Sequence, residues 1–141
     1  MKKLLLICLA AFAAASCTQE KQQSKPLYMW FDCEGNYATL SHPDSIRYYV
    51  SKIHDMGFTD VVVDVKSIMG ETLYKSDIAP YMGEWDGVTR PENYDLLGYF
   101  IEEGHKLGMR VHGSLNVFAG GHNFFDRGII YGDHADWQSQ V

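Results

Sequence analysis

The sequence is poor in several things, and each shortage excludes something. Its 141 residues hold 12 basic against 18 acidic side chains, a net charge of −6, and no basic patch. That balance argues against a nucleic-acid partner. No phosphate-cradling glycine motif occurs, and no internal repeat beyond the alternation of strands and helices. The longest apolar run, Leu4 to Ala15, is shorter than the roughly 20 residues that span a bilayer. There are 3 cysteines, too few for a disulfide framework. The histidines and aspartates of GGHNFFDRG and YGDHADW match no strong ligand spacing, and loop polarity explains them. No metal and no cofactor is expected. What remains is 46% hydrophobic and 13% aromatic residues, the balance of a folded globular chain.

The first residues are a targeting segment. Lys2 and Lys3 supply the positive end, Leu4 to Ala15 the apolar stretch, and Ala14-Ala15-Ser16 small residues for cleavage. Cys17 follows directly, and the arrangement resembles a bacterial lipobox. By that resemblance residues 1–16 are a lipoprotein signal peptide and Cys17 is the lipidated first residue of the mature chain. Each buried CH₂ of an acyl chain contributes about 0.8 kcal/mol, so several chains hold firmly. Removal of Cys8 and lipidation of Cys17 leave Cys33 alone, with no internal disulfide. Residues 17–25 form a polar tether, and the folded domain covers 26–141.

Hydrophobic periodicity gives the elements. Leu27–Cys33 reads as a first strand, with Leu27, Met29 and Phe31 on one face and Tyr28, Trp30, Asp32 and Glu34 on the other. Pro43 opens a helix, capped by Ser41 or His42, whose stripe is Ile46, Tyr49, Val50, Ile53 and Met56. Phe58–Lys66 is the second strand, with three valines on one face and Val62, Asp64 and Lys66 on the other. Ser67–Glu92 is long and irregular, a length that is usually functional or disordered; its aromatics Tyr74, Tyr81 and Trp85 argue against disorder. A second helix begins at Asp95, carries Leu97, Phe100, Ile101 and Gly104 on one face, and stops at Gly108. Met109–Val117 is the third strand, turning His112, Ser114 and Asn116 one way. A short strand is expected at Gly128–Tyr131 within a last loop.

The order is β-α-β-α-β, so the strands run parallel. Each carries one apolar face and one that turns polar toward its C-terminal end. In a parallel sheet that places a site at the C-terminal rim. The candidates are Asp32, Asp64, Lys66, His112 and Asn116 for hydrogen bonding or charge pairing, and Tyr74, with Tyr81 and Trp85, for stacking on a ring. Glu34 reads as a solvated loop start, and Cys33 as a small hydrophobe without an activating partner.

Three segments carry a family resemblance: GFTDVVVDVKS at 57–67, ETLYKSDIAPYMGEW at 71–85 and YDLLGYFIEEGHKLGMRVHGSLNVF at 94–118. With them the chain resembles the glycosyl-hydrolase-like family 10 proteins, bacterial (β/α)₈ barrels often carried as lipoproteins. The resemblance implies an α/β fold, the N-terminal part (β-α-β-α-β) of a (β/α)₈ TIM barrel, truncated because a full barrel takes about 250 residues. It implies a glycoside hydrolase acting on peptidoglycan glycan or other polysaccharide, lipid-anchored in the bacterial cell envelope. The two carboxyl groups that such cleavage needs would lie on later strands, so Asp32, Asp64, Lys66, Tyr74, His112 and Asn116 would bind substrate and the fragment would be inactive. The alternative is a non-catalytic glycan-binding lipoprotein; a flavodoxin-like open sheet is a third reading.

Overall fold

The structure is a computed structural model that describes residues 25–132 and 134–138. The targeting segment, Cys17 and residues 18–24 of the tether lie outside the described residues. Strand β1 is Tyr28–Phe31, helix α1 Pro43–Asp55 and strand β2 Asp60–Lys66. A two-stranded hairpin, β3 Glu84–Trp85 and β4 Val88–Thr89, precedes helix α2, Leu96–Lys106, and strand β5, Arg110–Leu115.

Strands β1, β2 and β5 form one parallel sheet in that spatial order. Two strands joined through a helix can only meet this way, because the helix returns the chain to the end where it started. Helix α1 begins at Pro43, whose fixed φ suits the first turn, and buries Ile46, Val50 and Ile53 at helical spacing. Neither Ser41 nor His42 caps it: His42 occupies the cap position without a side-chain bond, and Ser41 Oγ donates to Tyr37 O at 2.6 Å. Asp95 does cap α2, its Oδ1 accepting from Gly98 N at 2.9 Å. The buried stripe of α2 is Leu96, Phe100 and Gly104, one position round from the expected Leu97 and Ile101. Gly104 sets the distance to the sheet, since a Cβ there would stand 2.7 Å from Val111 Cγ2.

Both helices lie on one face of the sheet. Val61, Val63, Val65, Met109, Phe100 and Leu96 are buried there with Ile46 and Val50, each large aliphatic contributing roughly 1.5–3 kcal/mol. The opposite face is open: Trp30 is 61% and Tyr28 53% exposed.

Two further expectations are corrected. Ser67–Glu92 is not wholly irregular: Trp85-Asp86-Gly87-Val88 closes the hairpin, with Asp86 and Gly87 both at positive φ. Asp-Gly at a two-residue turn is the composition that geometry selects. Gly128–Tyr131 is no strand; it is a run of turns in which Tyr131 N donates to Gly128 O at 3.0 Å. The pairing in that region is instead a bridge between His122 and Arg127.

Candidate functional site

The C-terminal ends of the three parallel strands enclose a cavity of about 230 Å³. Asp32 and Glu34 follow β1, Asp64 and Lys66 end β2, Ser67, Ile68 and Leu73 come from the segment after it, and Asn116 follows β5. The register between β2 and β5 slips between Asp64 and Lys66, a bulge that bends the strand at the cavity wall. Beyond it Lys66 Nζ donates to Asn116 O at 2.6 Å and to Ala119 O.

Each carboxylate is held by one oxygen. Asp32 Oδ1 accepts from Glu34 N at 3.1 Å and Gly35 N at 3.0 Å, Glu34 Oε1 from Ile68 N at 2.8 Å, and Asp64 Oδ1 from Trp30 Nε1 at 3.0 Å. The second oxygen of each has no hydrogen-bond donor among the described residues. Lys66 does not neutralise them, since among the described residues no carboxylate lies within the 4.0 Å of an ion pair from its Nζ. Burial pushes the Glu34 carboxyl up, with the charges of Asp32, Asp64 and Glu71 adding and the Ile68 amide opposing. Burial pushes the Lys66 ammonium down. The cavity thus holds three carboxylates against one ammonium whose protons are largely engaged.

Cys33 lies beside this wall with no exposed surface. Burial, then the Asp64 charge, pushes its thiol up to about 12, which leaves it inert as a nucleophile. Among the described residues no group of three or more histidine, cysteine or carboxylate side chains is arranged to hold a metal ion.

Of the residues singled out in the sequence, Asp32, Asp64, Lys66 and Asn116 line this one cavity. Tyr74 does not; it is half-buried against the core. His112 sits toward the other end of the sheet, its Nε2 2.8 Å from Asp60 Oδ1. Asp60 precedes Asp64 by four strand positions, about 13 Å. It has no exposed surface: Arg110 covers it with bonds of 2.7 and 2.8 Å and Thr59 Oγ1 donates at 2.6 Å. The Arg110 bonds hold the Asp60 carboxyl well below the usual carboxylate range, helped by Thr59 and His112. His112 is therefore a member of a structural charge cluster. Glu34 belongs to the cavity although it reads as a loop residue; its two-residue spacing from Asp32 was the available signal. Trp30, which orients Asp64, shares the face of Asp32 in the strand pattern.

No family model matches the chain. Over 123 residues, 83% of its length, it is 28% identical to an S-layer-related protein of Niallia circulans. The chain spans about 8% of the length of that curated relative. These findings correct the expected membership of the glycosyl-hydrolase-like family 10 proteins and, with it, the glycoside hydrolase activity: the similarity found is to an S-layer-related protein, and nothing in it points to cleavage of a glycosidic bond.

Proposed function

We propose that the chain is part of a cell-surface protein, held at the envelope by lipid on Cys17, and that its cavity is a binding site for a primary ammonium group. The S-layer-related relative supports the surface location, and the leader of residues 1–16 followed directly by Cys17 supports the anchor. The single observation carrying the binding reading is the set of three carboxylates, each oriented by one oxygen and each with its second oxygen lacking a donor among the described residues. An ammonium brings three N–H donors and no acceptor, which matches that set. Glu34 and Asp64 are half-buried and Asp32 is exposed; half-buried like charges are costly unless an opposite charge joins them. Amine-bearing sugars of an envelope polysaccharide offer such a group.

Glucosamine and N-acetylglucosamine test the cavity, because they differ in whether the nitrogen is charged. Glucosamine is expected to bind by calorimetry, and Asp64→Asn, which keeps an acceptor for Trp30 Nε1, is expected to weaken it about tenfold, or 1.4 kcal/mol. Any affinity for N-acetylglucosamine is expected to ignore that substitution. Glucosamine binding that is indifferent to Asp64→Asn sinks the reading.

The anchor has its own measurement. Cys17→Ser is expected to shift the protein from the membrane fraction to the soluble one, since a leader-derived acyl anchor would be lost. Unchanged partitioning refutes lipidation at this position.

A further inference from the structure

A second cavity, of about 420 Å³, lies between the β3–β4 hairpin and the segment after β5. It shares no lining residue with the first: its walls are Glu84, Trp85, Asp86, Phe125 and Arg127. Trp85 and Phe125 stand 63° apart with ring centroids 5.0 Å from each other, so the two rings make a corner. The one cation of the lining is already matched. Arg127 Nε donates to Glu71 Oε1 at 2.8 Å and Nη2 to Glu71 Oε2 at 2.6 Å. Two exposed carboxylates remain. Glu84 Oε1 accepts from Gly87 N at 2.9 Å, and its Oε2 lies 3.7 Å from Arg127 Nη1, beyond a hydrogen bond. Asp86, in the hairpin turn, has no ion-pair partner among the described residues. With Arg127 cancelled by Glu71, the aromatic corner is left with unbalanced negative charge at its rim.

We infer that this cavity binds a quaternary ammonium head group, seated in the Trp85–Phe125 corner with Glu84 and Asp86 as its counter-charges. The chemistry of the lining selects that class. An anion would face two carboxylates. A hard metal ion asks for a shell of oxygen ligands, which aromatic walls do not supply, and no metal-holding group of side chains occurs among the described residues. A primary ammonium is strongly hydrated and needs acceptors for three N–H groups. A quaternary nitrogen has no N–H, and its methyl groups pack on ring faces whose quadrupole is negative. Trp85 already has a charge-matched cation near it, since Arg127 Cζ lies 5.9 Å from the ring centroid. The corner is also held in place before a ligand arrives: His122 N donates to Arg127 O at 2.9 Å, and the Arg127–Glu71 fork ties that turn to the segment after β2. Such preorganisation lowers the ordering cost of binding.

The inference is independent of the primary-ammonium site and is tested with different probes. Choline is titrated into the whole chain, followed by calorimetry, and is expected to bind with a dissociation constant of about 1 mM or lower. Its neutral carbon isostere, in which a tert-butyl group replaces the trimethylammonium, separates charge from shape and is expected to bind at least about tenfold more weakly. Phosphocholine distinguishes a free solute from an esterified head group. Choline is expected to be the tighter of the two, because the phosphate would approach Glu84 and Asp86; the reverse order would assign the same site to the esterified form. Trp85→Ala is expected to weaken choline about tenfold or more, Trp85→Phe to retain part of the affinity, and Asp64→Asn to leave it unchanged. Asp86→Asn guards against a folding defect in the tryptophan variant, since asparagine accepts the positive φ of that turn position, and is expected to weaken choline severalfold. Absence of saturable choline binding, an isostere that binds as tightly as choline, or choline affinity unmoved by both Trp85→Ala and Asp86→Asn overturns the site.

Discussion

Gly128→Ala is expected to lower the stability of the fold by about 3 kcal/mol or more and to loosen the segment that follows β5, while Gly87→Ala costs only about 1–2 kcal/mol. Both glycines have positive φ, +119° and +75°, a region that L side chains enter only with strain. Their surroundings differ. A Cβ on Gly87 meets nothing within 4 Å. A Cβ on Gly128 would stand 2.5 Å from Gly120 O and 2.6 Å from Met69 O, and closer still to Gly121 Cα. All three are backbone atoms, so no side chain can rotate away, and the segment has to lift. Lifting would break the Ile130 N to Gly120 O bond and strain the Arg127–Glu71 fork. Urea unfolding with a constant slope reads the stability difference. Equal midpoints for the two alanine variants would show that the backbones do not meet at Gly128.

The parts of this architecture written in local sequence were legible, and the parts written by packing were not. The valine alternation of 61, 63 and 65 shows one buried face of β2, because a strand's period is two. Pro43 and Asp95 mark both helix starts. The same alternation placed Asp32, Asp64, Lys66 and Asn116 on one side, and they line one cavity. His112 has the same parity, yet parity says nothing about height along the sheet, and Asp60 and Arg110 claim it at the other end. The α2 stripe turned by one position since Asp95, Leu96 and the Leu96 N to Leu73 O bond fix the entry of the helix. Glycine in the 128–131 stretch gives no sign, in sequence, of the two backbone segments, at 120–121 and at Met69, that it must pass. The resemblance to a hydrolase family rested on strand, helix and loop segments shared in sequence; residue roles do not follow from such likeness.

Arg90 provides the other large effect. It is 3% exposed and no carboxylate pairs with it among the described residues. Its guanidinium lies 3.6 Å from the Tyr37 ring centroid and 5.2 Å from that of Tyr94. Nε donates to Ser41 Oγ at 2.7 Å and Nη2 to Tyr37 O at 2.9 Å, whereas Nη1 has no partner among the described residues. Burial pushes both tyrosine hydroxyls up to about 12, so neither supplies a counter-charge at neutral pH. The rings' π faces take that part, an attraction of about 2 kcal/mol when desolvated. Arg90→Ala removes it, leaves Tyr37 O with Ser41 Oγ as its donor but without the guanidinium, and opens a void; the expected loss is about 3 kcal/mol. Arg90→Lys should lose about 2 kcal/mol, because an ammonium cannot lie flat on Tyr37 and reach both oxygens. Arg90→Met separates charge from bulk. A methionine variant as stable as the parent would mean that the guanidinium contributes nothing net, as some buried charges do. The expected outcome is a clear loss, and with it weaker glucosamine binding. Tyr37 is three residues beyond Glu34, and the Arg90–Tyr37 contact adds to the bonds of Asp32, Asn36 and the Tyr37 hydroxyl that hold the turn presenting Asp32 and Glu34 to the cavity.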